Sequence, residues 1–133
     1  IYGSPKYLEN HGFPKNTSDL NKHSFISFGR GAPSPVYNPD WALKLGTKDN
    51  KKRKTVMKVN SVYGLLLAVQ SGVGLAALPD YITVNQPNIV KVLPNIEGPI
   101  TEAHFVYPQS MKNVARVQAF RNFLYSKISE WEF

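Results

Sequence analysis

No cysteine occurs in the 133 residues. That excludes a disulfide framework, a thiolate metal centre and a cysteine nucleophile. Long hydrophobic runs are missing as well. No segment approaches about 18 consecutive apolar residues, so none reads as a membrane span. The longest apolar stretches, 65–69 and 75–78, are sized for a core. The opening Ile1-Tyr2-Gly3-Ser4-Pro5 has neither the charged start nor the apolar stretch of an export signal. It also lacks an initiator Met, so a processed or partial chain is expected, with the cytoplasm as its home. No internal repeat or low-complexity tract is present. Acidic residues are scarce, with 9 Asp and Glu against 16 Lys and Arg, a formal charge of +7.

What remains is the composition of one ordinary domain. Hydrophobic residues make up 42% and charged residues 19%, which excludes a wholly disordered chain. A chain of 14.9 kDa can bury roughly two-thirds of its unfolded surface. The positive charge is local. Residues 48–54 hold Lys48, Lys51, Lys52, Arg53 and Lys54 against Asp49 alone. The rest of the chain is close to neutral.

Ser4-Pro5 reads as an N-cap followed by Pro at the first helical position, with a short helix over 6–10 and Gly12 as its stop. Thr17 or Ser18 caps a second short helix. Residues 25–28 form a strand, and 29–35, with two Gly and two Pro, a loop. Alternation over 40–45 and 55–60 predicts a hairpin with the basic segment at its tip. That tip is either a solvated turn or a contact for nucleic acid or membrane. Ser61 caps a helix with an apolar face of Val62, Leu65, Leu66 and Val69. Gly72 stops that helix, and Gly72-Val73-Gly74 leads tightly into a strand over 75–78 that is covered on both faces. Next come a short helix from Asp80 through Val84 and strands over 89–93 and 102–107. The last helix, 113–131, carries a stripe of Val114, Val117, Phe120, Leu124, Ile128 and Trp131. That stripe either packs a core or contacts another subunit. The order favours an α/β domain with helices on a sheet.

The chemistry is that of binding. Histidines at 11, 23 and 104 lie far apart, so no metal site is expected, and no nucleotide fingerprint or activated nucleophile stands out. No cofactor and no enzymatic activity are expected. Ser61, at a helix N-terminus, either caps the helix or joins its free N–H groups in holding an anion. Phe28, Gly29 and Arg30 follow a strand at its C-terminal end, where open α/β sheets place ligands. There Phe28 would wall a pocket, Gly29 would allow close approach, and Arg30 would pair with an anionic group or stay in a surface loop.

Several pieces, taken in order, carry a family resemblance. They are Ser4-Pro5-Lys6-Tyr7-Leu8 with His11-Gly12-Phe13-Pro14, and Ser18-Asp19-Leu20 with His23. Then comes Asn60 with Leu66-Leu67-Ala68-Val69-Gln70-Ser71-Gly72-Val73-Gly74-Leu75-Ala76-Ala77-Leu78-Pro79-Asp80-Tyr81. Val92-Leu93-Pro94, Val106-Tyr107-Pro108 and Val117-Gln118-Ala119-Phe120-Arg121-Asn122-Phe123-Leu124 complete the set. Together they resemble the effector-binding domain of LysR-type transcriptional regulators.

The resemblance implies an α/β fold like type 2 periplasmic binding proteins, with two lobes and a small, anionic or neutral effector between them. Residues 1–101 would be the second lobe. Residues 102–133 would supply a crossover strand and C-terminal helix to the first lobe, whose remainder, with the N-terminal DNA-binding domain, lies outside this chain. Phe28, Gly29, Arg30, Asn60 and Ser61 would face the cleft. DNA would be bound by the absent domain, the protein would be a homo-oligomer, and the effector would modulate DNA binding. A fragment of a periplasmic-type solute-binding protein is the alternative, and an independent nucleic-acid binder acting through 48–54 a third.

Overall fold

A computed structural model describes residues 1–29, 38 and 40–130. The chain divides into two compact units, Ile1–Thr101 and Glu102–Phe133.

Among the described residues of the first unit, four strands and three α-helices are built around alternating burial. Strand β1 (Tyr2–Gly3) pairs antiparallel with β4 (Val90–Lys91), and β2 (Phe25–Phe28) pairs parallel with β3 (Thr55–Val59). Leu75 and Ala76 stitch the two pairs together. Ala76 bridges Tyr2, and Leu75 bridges Phe25. The spatial order is thus β4, β1, residues 75–76, β2, β3, a mixed sheet.

Neighbouring residues in these segments point to opposite faces. Tyr2, Ile26, Phe28 and Ala76 join one core cluster, whereas Ile1, Phe25 and Leu75 join the other. Every residue of β2 is buried for this reason. Helix α2 (Val62–Gln70) contributes Leu65, Leu66, Ala68 and Val69 to the first cluster. Helix α1 (Pro5–His11) contributes Tyr7 and Leu8 to the second. The short α3 (Asp80–Thr83) is tied to β1 through Tyr2, whose hydroxyl donates to Asp80 Oδ1 at 3.2 Å and accepts from Thr83 Oγ1 at 3.1 Å.

The caps reflect local chemistry. Ser4 Oγ accepts from Tyr7 N at 3.2 Å at the start of α1. At the end of α2, Val73 N donates to Ala68 O and Gly72 N to Val69 O, a Schellman closure that needs the positive φ of Gly72. Gly74 then passes so close to β2 that a Cβ there would lie 2.5 Å from the Ser24 carbonyl oxygen.

Several expectations need correction. Residues 40–45 are not a hairpin arm. Trp41–Leu43 is a 3-10 turn whose backbone bonds are local, Leu43 N to Asp40 O at 3.0 Å and Lys44 N to Trp41 O at 3.1 Å, in place of a strand ladder. The basic segment is consequently not a hairpin tip. It holds a second 3-10 turn, Lys48–Asn50, and leads into β3. The turn Asp19–Lys22 is capped by neither Thr17 nor Ser18. Asn16 Oδ1 accepts from Ser18 N at 3.0 Å and Asp19 N at 3.1 Å instead. Only residues 75–76 of the 75–78 segment form ladder bonds.

In the second unit the crossover strand expected over 102–107 is not formed, because residues 101–108 have no ladder partner among the described residues. Helix α4 (Ala115–Ser129) starts after Val114 and buries none of its residues. Phe105 packs edge-on against Phe120 with centroids 5.7 Å apart. Trp131 lies outside the described residues.

Candidate functional site

The parallel pairing of β2 with β3 aligns their C-terminal ends. Phe28 stands opposite Val59, and Gly29 N donates to Val59 O at 2.6 Å. A Cβ at Gly29 would lie 3.8 Å from Asn60 N, so Gly29 and Asn60 are immediate neighbours. The chain then turns into α2. Ser61 Oγ accepts from Gly64 N at 3.3 Å, and Ser61 O accepts from Leu65 N at 3.0 Å.

Four of the five sequence-predicted residues, Phe28, Gly29, Asn60 and Ser61, are therefore gathered at one sheet end. Asn60 and Ser61 are exposed, Gly29 is half-buried, and Phe28 sits in the core beneath them. Arg30 lies outside the described residues. The physical cause is simple. Parallel strands share a direction, so the chain leaves both of them on the same side, and the first N–H groups of α2 emerge there too. Ser61 satisfies one of those groups, leaving others at the helix start for an acceptor.

Other groups with unusual settings were not expected. Arg53 belongs by sequence to the basic segment, yet its guanidinium turns inward. It donates to Asn21 Oδ1 at 2.9 Å, Ala42 O at 3.1 Å and Thr17 O at 3.1 Å. Burial pushes its pKa down. The only sequence signal was a planar guanidinium among ammonium groups. Tyr7 stacks on His11 with ring centroids 4.2 Å apart and tilts towards His23 at 5.8 Å. The four-residue spacing of Tyr7 and His11 on a helix would have suggested the first contact. His104 Nε2 lies 3.5 Å from Glu102 Oε2 in an exposed pair. Among the described residues no three His, Asp or Glu side chains are grouped to hold a metal ion. A shallow hollow of about 390 Å³ lies elsewhere, lined by residues 14–17 and 93–96.

A helix-decorated mixed sheet whose parallel strand ends meet a capped helix has the architecture of an α/β ligand-binding domain. The profile of the LysR substrate binding domain matches residues 1–128. The chain belongs to that family, which is one of transcriptional regulators and not an enzyme class. It is 31% identical over 109 residues to an uncharacterized HTH-type transcriptional regulator of Haemophilus influenzae, a match covering 79% of this chain and 36% of the relative. The regulatory domain of CrgA, a LysR-type transcriptional regulator from Neisseria meningitidis, shares the fold with a TM-score of 0.71 at 21% identity. That match covers 95% of this chain and 62% of CrgA's domain. The structure of CrgA itself superposes with a TM-score of 0.72 at 23% identity, over 95% of this chain and 43% of that one. The chain thus spans about a third of the length of the curated relative it matches.

Proposed function

We propose that this chain is the effector-sensing part of a cytoplasmic transcriptional regulator. A small metabolite would rest on Gly29, Asn60 and Ser61 above Phe28, with Arg30 beside it. Binding would shift the whole protein between DNA-bound arrangements without breaking or making a bond. Anionic effectors are the class best suited to a helix start and an arginine. In this reading residues 1–101 are the second lobe. Residues 102–133 belong to the first lobe, which would close over the effector from the other side. DNA would be held by a segment outside this chain, in a homo-oligomer. No helix among the described residues is long and apolar enough to cross a membrane.

The observation that carries this reading is the adjacency of Gly29 and Asn60 at the end of two paired parallel strands, directly before the Ser61 cap. Calorimetry of the complete protein against a panel of small carboxylates tests it. A binding heat is expected, and Asn60→Ala should weaken it about tenfold, the worth of one charge-assisted hydrogen bond. An effector that binds equally well to Asn60→Ala and Arg30→Gln variants would move the site elsewhere.

A further inference from the structure

The basic segment 48–54 takes no part in the effector site, and its construction is specific. Arg53 faces inward and fastens the segment to the core. Besides its three donations to Asn21, Ala42 and Thr17, its guanidinium carbon lies 5.6 Å from the centroid of the buried Phe25 ring. Its backbone N–H donates to Leu43 O at 2.9 Å. Lys52 is occupied as well, 3.0 Å from Asp40 Oδ2. Lys48, Lys51 and Lys54 are left exposed, and among the described residues no carboxylate lies within ion-pair distance of any of them.

Three ammonium groups are thus displayed from an anchored backbone, on a chain that is otherwise near neutral. Three such charges within seven residues, against Asp49 alone, repel one another, and a polyanion relieves the repulsion. The segment contains no aromatic residue, so stacking on unpaired bases has no platform. Phosphates are what lysines of this kind hold. We propose that Lys48, Lys51 and Lys54 form a docking surface for the phosphate backbone of duplex DNA, bound without regard to sequence. This rests on the reading of the whole protein as a regulator that acts on DNA, and it adds a second contact from the sensing lobe.

The test is fluorescence anisotropy of this chain with a labelled duplex of arbitrary sequence over a series of salt concentrations. Binding should weaken as salt rises. The triple variant K48Q/K51Q/K54Q should flatten the slope of log K against log salt by about 2.7, the counterions released by three phosphate contacts. K6Q/K15Q/K112Q removes the same formal charge from other exposed lysines and should alter the slope much less. Equal effects of the two variants overturn the proposal, as does a failure to bind duplex at low salt. Preference for polyglutamate over duplex also overturns it and assigns the surface to an acidic protein. Effector calorimetry is read separately. Its failure would remove the sensing function while leaving a positive duplex result in place.

Discussion

Arg53 stands in a run of lysines yet serves the interior. Its planar fork supplies donors in three directions at once, to two backbone carbonyls and the Asn21 amide oxygen. A lysine ammonium cannot reproduce that geometry. Arg53→Lys should therefore lower stability by about 1–3 kcal/mol, the range for unpaired part-buried acceptors. Lys54→Gln, one residue on, should change it by no more than about 0.5 kcal/mol. Urea denaturation of the two variants checks the contrast. His23 carries a second expectation at this scale. Its Nδ1 is buried and has no hydrogen-bond partner among the described residues. Desolvation holds its pKa below the ordinary value, the nearby His11 and Lys22 charges push the same way, and Asp19 opposes them. A lowered folded value means that the unfolded chain takes up the proton first. The contribution of His23 is therefore complete above its ordinary value of about 6.5. It is lost as pH falls from there towards the lowered folded value. The melting temperature should drop on acidification through this range, and His23→Gln should flatten that part of the profile.

At the scale of elements, the site depends on how α2 and its exit are held. Ser61→Ala removes the cap and should cost about 1 kcal/mol, whereas Ser61→Asn keeps a capping oxygen and should cost little. Thermal unfolding separates the two. Gly74 guards the other end of the sheet. A methyl group there would meet the Ser24 carbonyl oxygen at 2.5 Å and force residues 75–76 away from β2. Gly74→Ala should destabilise by about 1–3 kcal/mol, as overpacking does. These features were legible in the sequence because they are local: Ser4-Pro5, Asn60-Ser61 and Gly72-Val73-Gly74 each state a cap or a stop within a few residues. Pairing was not legible in the same way. Residues 40–45 alternate like a strand, but the partner of β3 is β2, some thirty positions earlier in the chain. Alternation records which residues are apolar, and a 3-10 turn of Trp41, Ala42 and Leu43 buries a similar set. Local pattern also could not reveal that Asn16, and not Ser18, offers the capping oxygen, since both residue types cap. The candidate site was readable in the sequence to the extent that Phe28-Gly29 and Asn60-Ser61 each end a strand. That the two ends are neighbours comes only from the parallel pairing.

For the molecule as a whole, the second unit poses the largest energetic question. The stripe read from Val114 to Trp131 is apolar at helical spacing, yet α4, which covers Ala115–Ser129 of it, buries no residue. Phe120 is 52% exposed, Phe123 55% and Ile128 48%. Full burial of such a side chain is worth roughly 1.5–3 kcal/mol, and a half-exposed one forgoes about half of that. An apolar face of this kind is the usual mark of a contact surface. A second copy of the chain carries the same face, and two such helices can cover each other. Sedimentation velocity at micromolar concentration should accordingly show self-association of this chain. The double variant Phe123→Glu with Ile128→Glu places charges on the face and should give a monomer with unchanged helical circular dichroism. Charge on the basic segment offers a control, because K48Q/K51Q/K54Q leaves the α4 face intact and should associate as the parent does. A parent chain that stays monomeric throughout, or a double variant that associates equally well, would mean that α4 is not the surface that brings copies together.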